Sequence, residues 1–228
     1  MADILAFAPH PDDAEIGAGG TLARHCRLGY EVVVCDLTQG ELASNGTPET
    51  RLREASEASR ILGLCARENL DLGDRELNPC PEKVRIVVEA VRKWRPRVVL
   101  AAFGTDRHPD HASAARLVKE GVFSAGLSRY RAGGEVHRVS RLVYYLVNSS
   151  CEPDFVVDVS AVYEVKRSAL LAYASQFGPG PHSTALNSGY LERVDLRDRW
   201  YGSLVGVARA EGFRYEGLLR VDDLNRQL

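Results

Sequence analysis

Three of the six histidines fall in two short runs that nearly repeat one another, His10-Pro11-Asp12-Asp13 and His108-Pro109-Asp110-His111. Two neutral imidazoles and one carboxylate make an open three-ligand site for zinc, and the remaining position holds a water whose pKa falls towards about 7. The same donors also accept iron, cobalt or nickel, because metal availability competes with affinity. A lone histidine at a strand end is ordinarily a hydrogen-bonded loop residue. The pairing of the two runs is what points to a metal and to hydrolytic chemistry.

The elements around the runs decide whether they can meet. Each follows an apolar segment of strand length, ILAFA before the first and VVLAAFGTD before the second, and each leads into a stretch of helical period. In open parallel sheets ligands bind beyond the carboxyl ends of the strands, where strand order reverses. If the two strands are neighbours there, the runs face each other. The hydrophobic pattern predicts strands over residues 3–8, 31–37, 66–70, 97–102, 142–148 and 155–159, and helices over 15–28, 49–62, 82–94, 110–123, 161–175 and 190–210. This alternation is that of βαβ units and an α/β fold with a mostly parallel sheet. Residues 38–50 and the Gly/Pro-rich 177–189 are loops long enough to be binding loops.

Composition narrows the class. With 228 residues, 45% hydrophobic and 26% charged, the chain can bury a core as one domain over residues 1–228. A net charge of −2 gives no footprint for nucleic acid or an anionic membrane, so the expected partner is a small molecule. The five cysteines are odd in number, dispersed and without a C-x-x-C pair, which reads as reduced thiols in a cytoplasmic chain. Asp3 stands where a signal peptide needs positive charge, and no segment approaches the roughly 18 apolar residues of a membrane span.

The run from His10 to Gly20 (HPDDAEIGAGG), taken with His108-Pro109-Asp110-His111, resembles the signature of the zinc-dependent N-acetylglucosaminyl deacetylases, the LmbE or PIG-L-like family, and the likeness extends over nearly the whole chain. Softer similarity, in Leu37-Thr38-Gln39-Gly40-Glu41, Thr47-Pro48-Glu49 with Arg51, Asp106-Arg107, Ser175-Gln176-Phe177 and Tyr201-Gly202-Ser203-Leu204, is closest to the bacillithiol-biosynthesis branch. The resemblance implies a single Rossmann-like domain with its active site at the carboxyl ends of the strands. It implies His10, Asp13 and His111 as zinc ligands, Asp12 as general base on the water, and His108 as the residue that stabilises the oxyanion and assists the leaving amine. Asp110 stands where it can orient His108 or His111, or cap the fourth helix. The branch implies N-acetylglucosaminyl malate as substrate, with a chitooligosaccharide or N-acetylglucosaminyl inositol as alternatives. Malate carboxylates need cationic partners, for which Arg53 and Arg107 are the candidates. Gln39, Asn45 and Gln176 are candidates for the sugar hydroxyls. The family also implies a homo-oligomer, with a hexamer as its suggested form. Pro9 departs from the alanine common before the first motif, which a strand end tolerates.

Two other classes compete. Gly17, Gly19 and Gly20 with Asp36 invite a dinucleotide site, but Pro9-His10-Pro11 occupies the turn where the fingerprint needs its first glycine, and the third would fall at Leu22. The glycines instead read as close helix packing. The second class is a non-enzymatic sugar-binding protein that kept the metal.

Overall fold

The computed structural model describes residues 1–149 and 151–218. Its centre is a seven-stranded sheet of β1 (Ile4–Ala8), β2 (Val32–Asp36), β3 (Ala66–Asn69), β4 (Val98–Ala102), β5 (Arg141–Tyr145), β6 (Phe155–Asp158) and β7 (Ala210–Arg214) in the order β3-β2-β1-β4-β5-β7-β6. The first five strands in that order are parallel, and β7 pairs antiparallel with both β5 and β6. Every residue of β1 and β2 is buried, which is why those strands are apolar without alternation, whereas the edge strands β3 and β6 are half-buried and carry polar residues.

Helices cover both faces. Ile4, Ala6 and Ala8 pack towards α1 (Asp13–Arg27), α2 (Pro48–Leu62), α5 (Tyr163–Leu171) and α7 (Tyr190–Leu204), while Leu5 and Phe7 pack towards α3 (Pro81–Trp94) and α4 (Pro109–Ala125). Each fully buried Leu, Val or Phe in these two layers contributes about 1.5–3 kcal/mol. The glycines of α1 permit its close approach: a Cβ on Gly17 would lie 2.3 Å from the Tyr145 ring, and one on Gly20 would lie 2.7 Å from Val159 Cβ. α1 is thereby held against the sheet with its N-terminus at the carboxyl end of β1.

Two expectations change. The segment expected as helix over 161–175 is a 3-10 turn (Ser160–Val162), α5 and a short α6 (Ala174–Phe177). The helix expected to reach residue 210 ends at Leu204, and Ala210–Arg214 is β7. A Cβ on Gly202 would meet Val207 O at 2.6 Å, so the chain folds back tightly on the helix end. The sequence AEGFR has little β preference of its own, and pairing with β5 and β6 makes it a strand. Among the described residues no helix is long and apolar enough to cross a membrane, and the five cysteines are free.

Candidate active site

Strand order reverses between β1 and β4. The chain proceeds from β1 outward to β2 on one side, while β4 lies against β1 on the other, with Ile4 opposite Val98 and Ala6 opposite Leu100. The neighbouring strands therefore deliver both histidine runs to one crevice. The His10 and His108 ring centroids are 4.8 Å apart, His108 and His111 5.0 Å, and His10 and His111 5.9 Å.

The turn into α1 is strained. Asp12 has φ 113°, a region L-residues rarely adopt, at a cost of order 1–3 kcal/mol that persists only where the surroundings enforce it. Here Arg51 enforces it: its Nη2 donates to Pro11 O and, at 2.9 Å, to Asp12 Oδ2. Gly40, at φ 65°, leaves room for that guanidinium, because a Cβ there would come within 2.5 Å of Arg51 Nη1. Asp13 Oδ2 accepts from the His10 backbone N–H at 3.0 Å, and the same oxygen lies 3.0 Å from His10 Nδ1 and 3.2 Å from His111 Nε2.

Carboxylates surround the imidazoles. His10 Nε2 lies 3.2 Å from Asp74 Oδ1 and 3.3 Å from Asp110 Oδ2, and His111 Nδ1 is 3.2 Å from Asp106 Oδ2. Burial disfavours charge on His10, but its hydrogen bonds to Asp110, Asp13 and Asp74 outweigh this and hold its pKa well above the ordinary value. The same balance, with Asp13 and Asp106 as partners, raises His111 to about 9. Asp12 moves the other way from a paired carboxylate: desolvation outweighs Arg51, and its pKa rises to about 7. Burial and the charge of the other two histidines lower His108, so its imidazole is neutral. Its Nδ1 accepts from the Asp110 backbone N–H at 3.3 Å, which assigns the proton to Nε2.

A divalent cation fits these residues. His10, His108 and His111 place ligand atoms within 4.8 Å of one another. Asp13 Oδ2 touches two of the rings, and Asp106 backs His111 from its Nδ1 side, which leaves His111 Nε2 turned towards Asp13. Two imidazoles driven towards their cationic forms by surrounding carboxylates mark a site that favours positive charge, and a nitrogen and oxygen donor set suits zinc and its neighbours in the periodic table.

The cluster forms the floor of a pocket of about 320 Å³, to which Ile16, Arg51, Arg107, Asn148, Gln176 and Tyr190 contribute walls. The structure brings together His10, Asp12, Asp13, Arg107, His108 and His111 at this pocket. It does not bring Arg53, which is exposed on α2 and, among the described residues, hydrogen-bonds Thr50; Arg51, two residues earlier, faces the site because helical period turns the two side chains apart. Asp110 corrects a second expectation. His108 is the N-cap of α4, and the Asp110 carboxylate holds His10 Nε2 and the backbone N–H of Arg75, at 2.9 Å, rather than orienting His108 or His111. The carboxylate behind His111 is Asp106, which also accepts from His108 N and from the backbone and side chain of Asn148. Gln39 turns to Asp71, and Asn45 is buried, exchanging hydrogen bonds with the backbone of His182. Asp74, Arg75, Asn148 and Tyr190 were not singled out by the sequence, since none stands in a motif. Asp36, the acid a dinucleotide would need, is committed to Arg67 through two contacts of 2.7 Å.

The model of PIG-L, GlcNAc-PI de-N-acetylase, matches residues 5–122, which hold both histidine runs. This chain belongs to the PIG-L family. It is 34% identical to the diacetylchitobiose deacetylase of Thermococcus kodakarensis, over 93% of this chain and 82% of the relative. It is 27% identical to the probable N-acetyl-alpha-D-glucosaminyl L-malate deacetylase 2 of Bacillus cereus, over 76% and 83%. The crystal structure of a conserved protein from Thermus thermophilus superimposes with a TM-score of 0.90 at 44% identity, covering 97% of this chain and 98% of that one. The relative named for malate is thus not the more similar of the two named deacetylases, so the branch assigned from the softer motifs is not carried by identity.

Proposed function

We propose that this PIG-L protein is a metal-dependent deacetylase of an N-acetylglucosamine conjugate, with N-acetylglucosaminyl malate as the substrate. The observation that carries the reaction is the convergence of three kinds of group on one pocket floor: the His10, Asp13 and His111 donors, the Asp12 carboxylate, and the neutral His108. Amide hydrolysis needs all three, because the carbonyl is weakly electrophilic and the amine leaves poorly.

A divalent cation held by His10, Asp13 and His111 would supply Lewis acidity to the acetamide carbonyl and acidity to a water. Arg51 holds Asp12 by Oδ2, which leaves Oδ1 to take a proton from the attacking water. The Nε2–H of the neutral His108 donates a hydrogen bond to the oxygen that becomes negative and stays on the ring, while the proton that Asp12 takes from the water is passed to the departing nitrogen. Water and amide become acetate and amine: one water proton reaches the nitrogen through Asp12, the other leaves the nascent acetic acid to protonate the freed amine, and Asp12 and His108 end as they began. Asp110, Asp74 and Asp106 hold His10 and His111 in orientation.

Diacetylchitobiose is the second reading, favoured by the 34% identity to the Thermococcus enzyme. The test is release of primary amine from each glycoside by protein stripped of metal and then reloaded with zinc. Zinc-dependent release, faster from the malate glycoside, is the expected result. Faster release from diacetylchitobiose would replace the substrate, and release from neither would remove the deacetylase reading.

A further inference from the structure

Two loops contribute three neighbouring residues each to the pocket wall, Leu42, Ala43 and Ser44 from residues 38–47, and Thr184, Ala185 and Leu186 from residues 178–189. The first loop is fixed. Thr38 Oγ1 donates to Pro9 O at 2.9 Å, and Leu42 N donates at 3.1 Å to Asp74 Oδ2, whose other oxygen meets His10. The second loop has little to hold it. None of residues 178–189 is buried, and among the described residues the half-buried Leu186 is the one side chain of this segment that packs on the hydrophobic core. Its ends meet where the Phe177 and Tyr190 rings stack, with centroids 6.2 Å apart. A compact loop with close ends and so little burial opens at small cost, as active-site lids do.

One side chain joins the two loops. Asn45 is the one buried residue of 41–47, and it does not line the pocket. Its Nδ2 donates to His182 O at 2.8 Å, and its Oδ1 accepts from His182 N at 3.1 Å, as a neighbouring strand would pair. Its backbone oxygen accepts from Gln176 Nε2 at 2.7 Å, and Gly180 lies so near that a Cβ there would stand 3.1 Å from the Asn45 amide. Among the described residues, 179–188 hydrogen-bond the rest of the chain at one further point, where Arg193 donates to Ala185 O. Parting the loops would strip the buried Asn45 amide of both partners, and closing them restores both.

We propose that residues 178–189 are a lid on the active-site pocket and that Asn45 is the latch that holds it shut. The proposal rests on the deacetylase reading of that pocket. Thr184, Ala185 and Leu186 line the wall without giving or taking protons, so the closed lid serves substrate binding and Asn45 is a positioning residue.

The test combines amide hydrogen exchange with kinetics on diacetylchitobiose and methyl N-acetylglucosaminide, using zinc-loaded wild type, Asn45→Ala, Asn45→Asp and Gly180→Val. The valine wedges the lid away from an intact Asn45. In Asn45→Ala and Gly180→Val, residues 180–187 are expected to exchange about tenfold faster while β1 and α1 exchange as in wild type, and KM is expected to rise about tenfold with kcat within about threefold. Asn45→Asp keeps the acceptor for His182 N and loses the donor, so it falls between. Unchanged exchange over 180–187, an unchanged KM, or faster exchange throughout the chain in both variants would overturn the latch. A wild type inert on both sugars and on the malate glycoside would remove the deacetylase reading, and the exchange of residues 180–187 would still answer for the latch.

Discussion

Two clusters of buried charge lie within the same layers of this molecule and behave oppositely. Beneath α5, α7 and β7, Lys166 Nζ lies 2.5 Å from Asp198 Oδ2 and 2.7 Å from Glu211 Oε1, and all three side chains are 0% exposed. Glu211 also accepts from the backbone N–H groups of Gly20 and Thr21, at 2.8 and 2.7 Å, and Arg197 completes Asp198. Every charge there has its partner, and none of the three residues lines a described pocket. At the carboxyl ends of β1 and β4, five carboxylates, those of Asp12, Asp13, Asp74, Asp106 and Asp110, face three imidazoles, Arg51 and Arg75, and most of these groups line a pocket. The first cluster pins α1 to the antiparallel end of the sheet. The second has acidity to spare: burial raises Asp12 in spite of Arg51, and the surrounding carboxylates raise His10 and His111 against the burial that would lower them. Buried charge by itself therefore marks nothing; incomplete compensation beside a cavity marks the site.

The contrast breaks most sharply at Asp12. Asp12→Asn keeps the shape and the contact with Arg51 but removes the proton acceptor, so kcat should fall by about 10²- to 10⁴-fold. Zinc content, measured on the purified variant, should match wild type; a variant that kept its turnover would take Asp12 out of the reaction. Lys166→Met should show the opposite profile. Two carboxylates lose their buried cation, at a cost of about 3–5 kcal/mol in urea unfolding, while kcat per folded molecule stays within about twofold. A fall in kcat without that loss of stability would mean that this cluster serves the chemistry as well. The smallest effect belongs to Arg53→Ala. Its side chain points to solvent, so stability should stay within about 0.5 kcal/mol and KM within about twofold. A several-fold rise in KM would return Arg53 to substrate binding and move the boundary of the pocket.

The sequence made much of the site legible because its central groups lie in two contiguous runs, each at a strand end. His10, Asp12, Asp13, His108 and His111 all follow from that pattern, and the parallel core follows from apolar strands alternating with helical period. Arg53 was misplaced because the need for a cation cannot distinguish residues two positions apart on a helix, where the side chains diverge. The Asp110 carboxylate, expected on His108 or His111 or at the cap of the fourth helix, meets His10 instead, and only the Asp110 backbone N–H reaches His108, because loop geometry, not spacing, decides which ring a carboxylate meets. Arg51, Asp74 and Tyr190 arrive from three other parts of the chain.

What the sequence by itself determined, then, is the class of sheet, the two motifs and the donor types, since local period and contiguous spacing are properties of a single segment. The tertiary structure alone decided that β1 and β4 are neighbours, that Ala210–Arg214 is a strand, that Asp12 is held at positive φ by Arg51, and that Asn45 meets the backbone of His182. Each of these depends on residues far apart in the chain, which meet only when burial of the two apolar layers fixes the packing of the helices on the sheet.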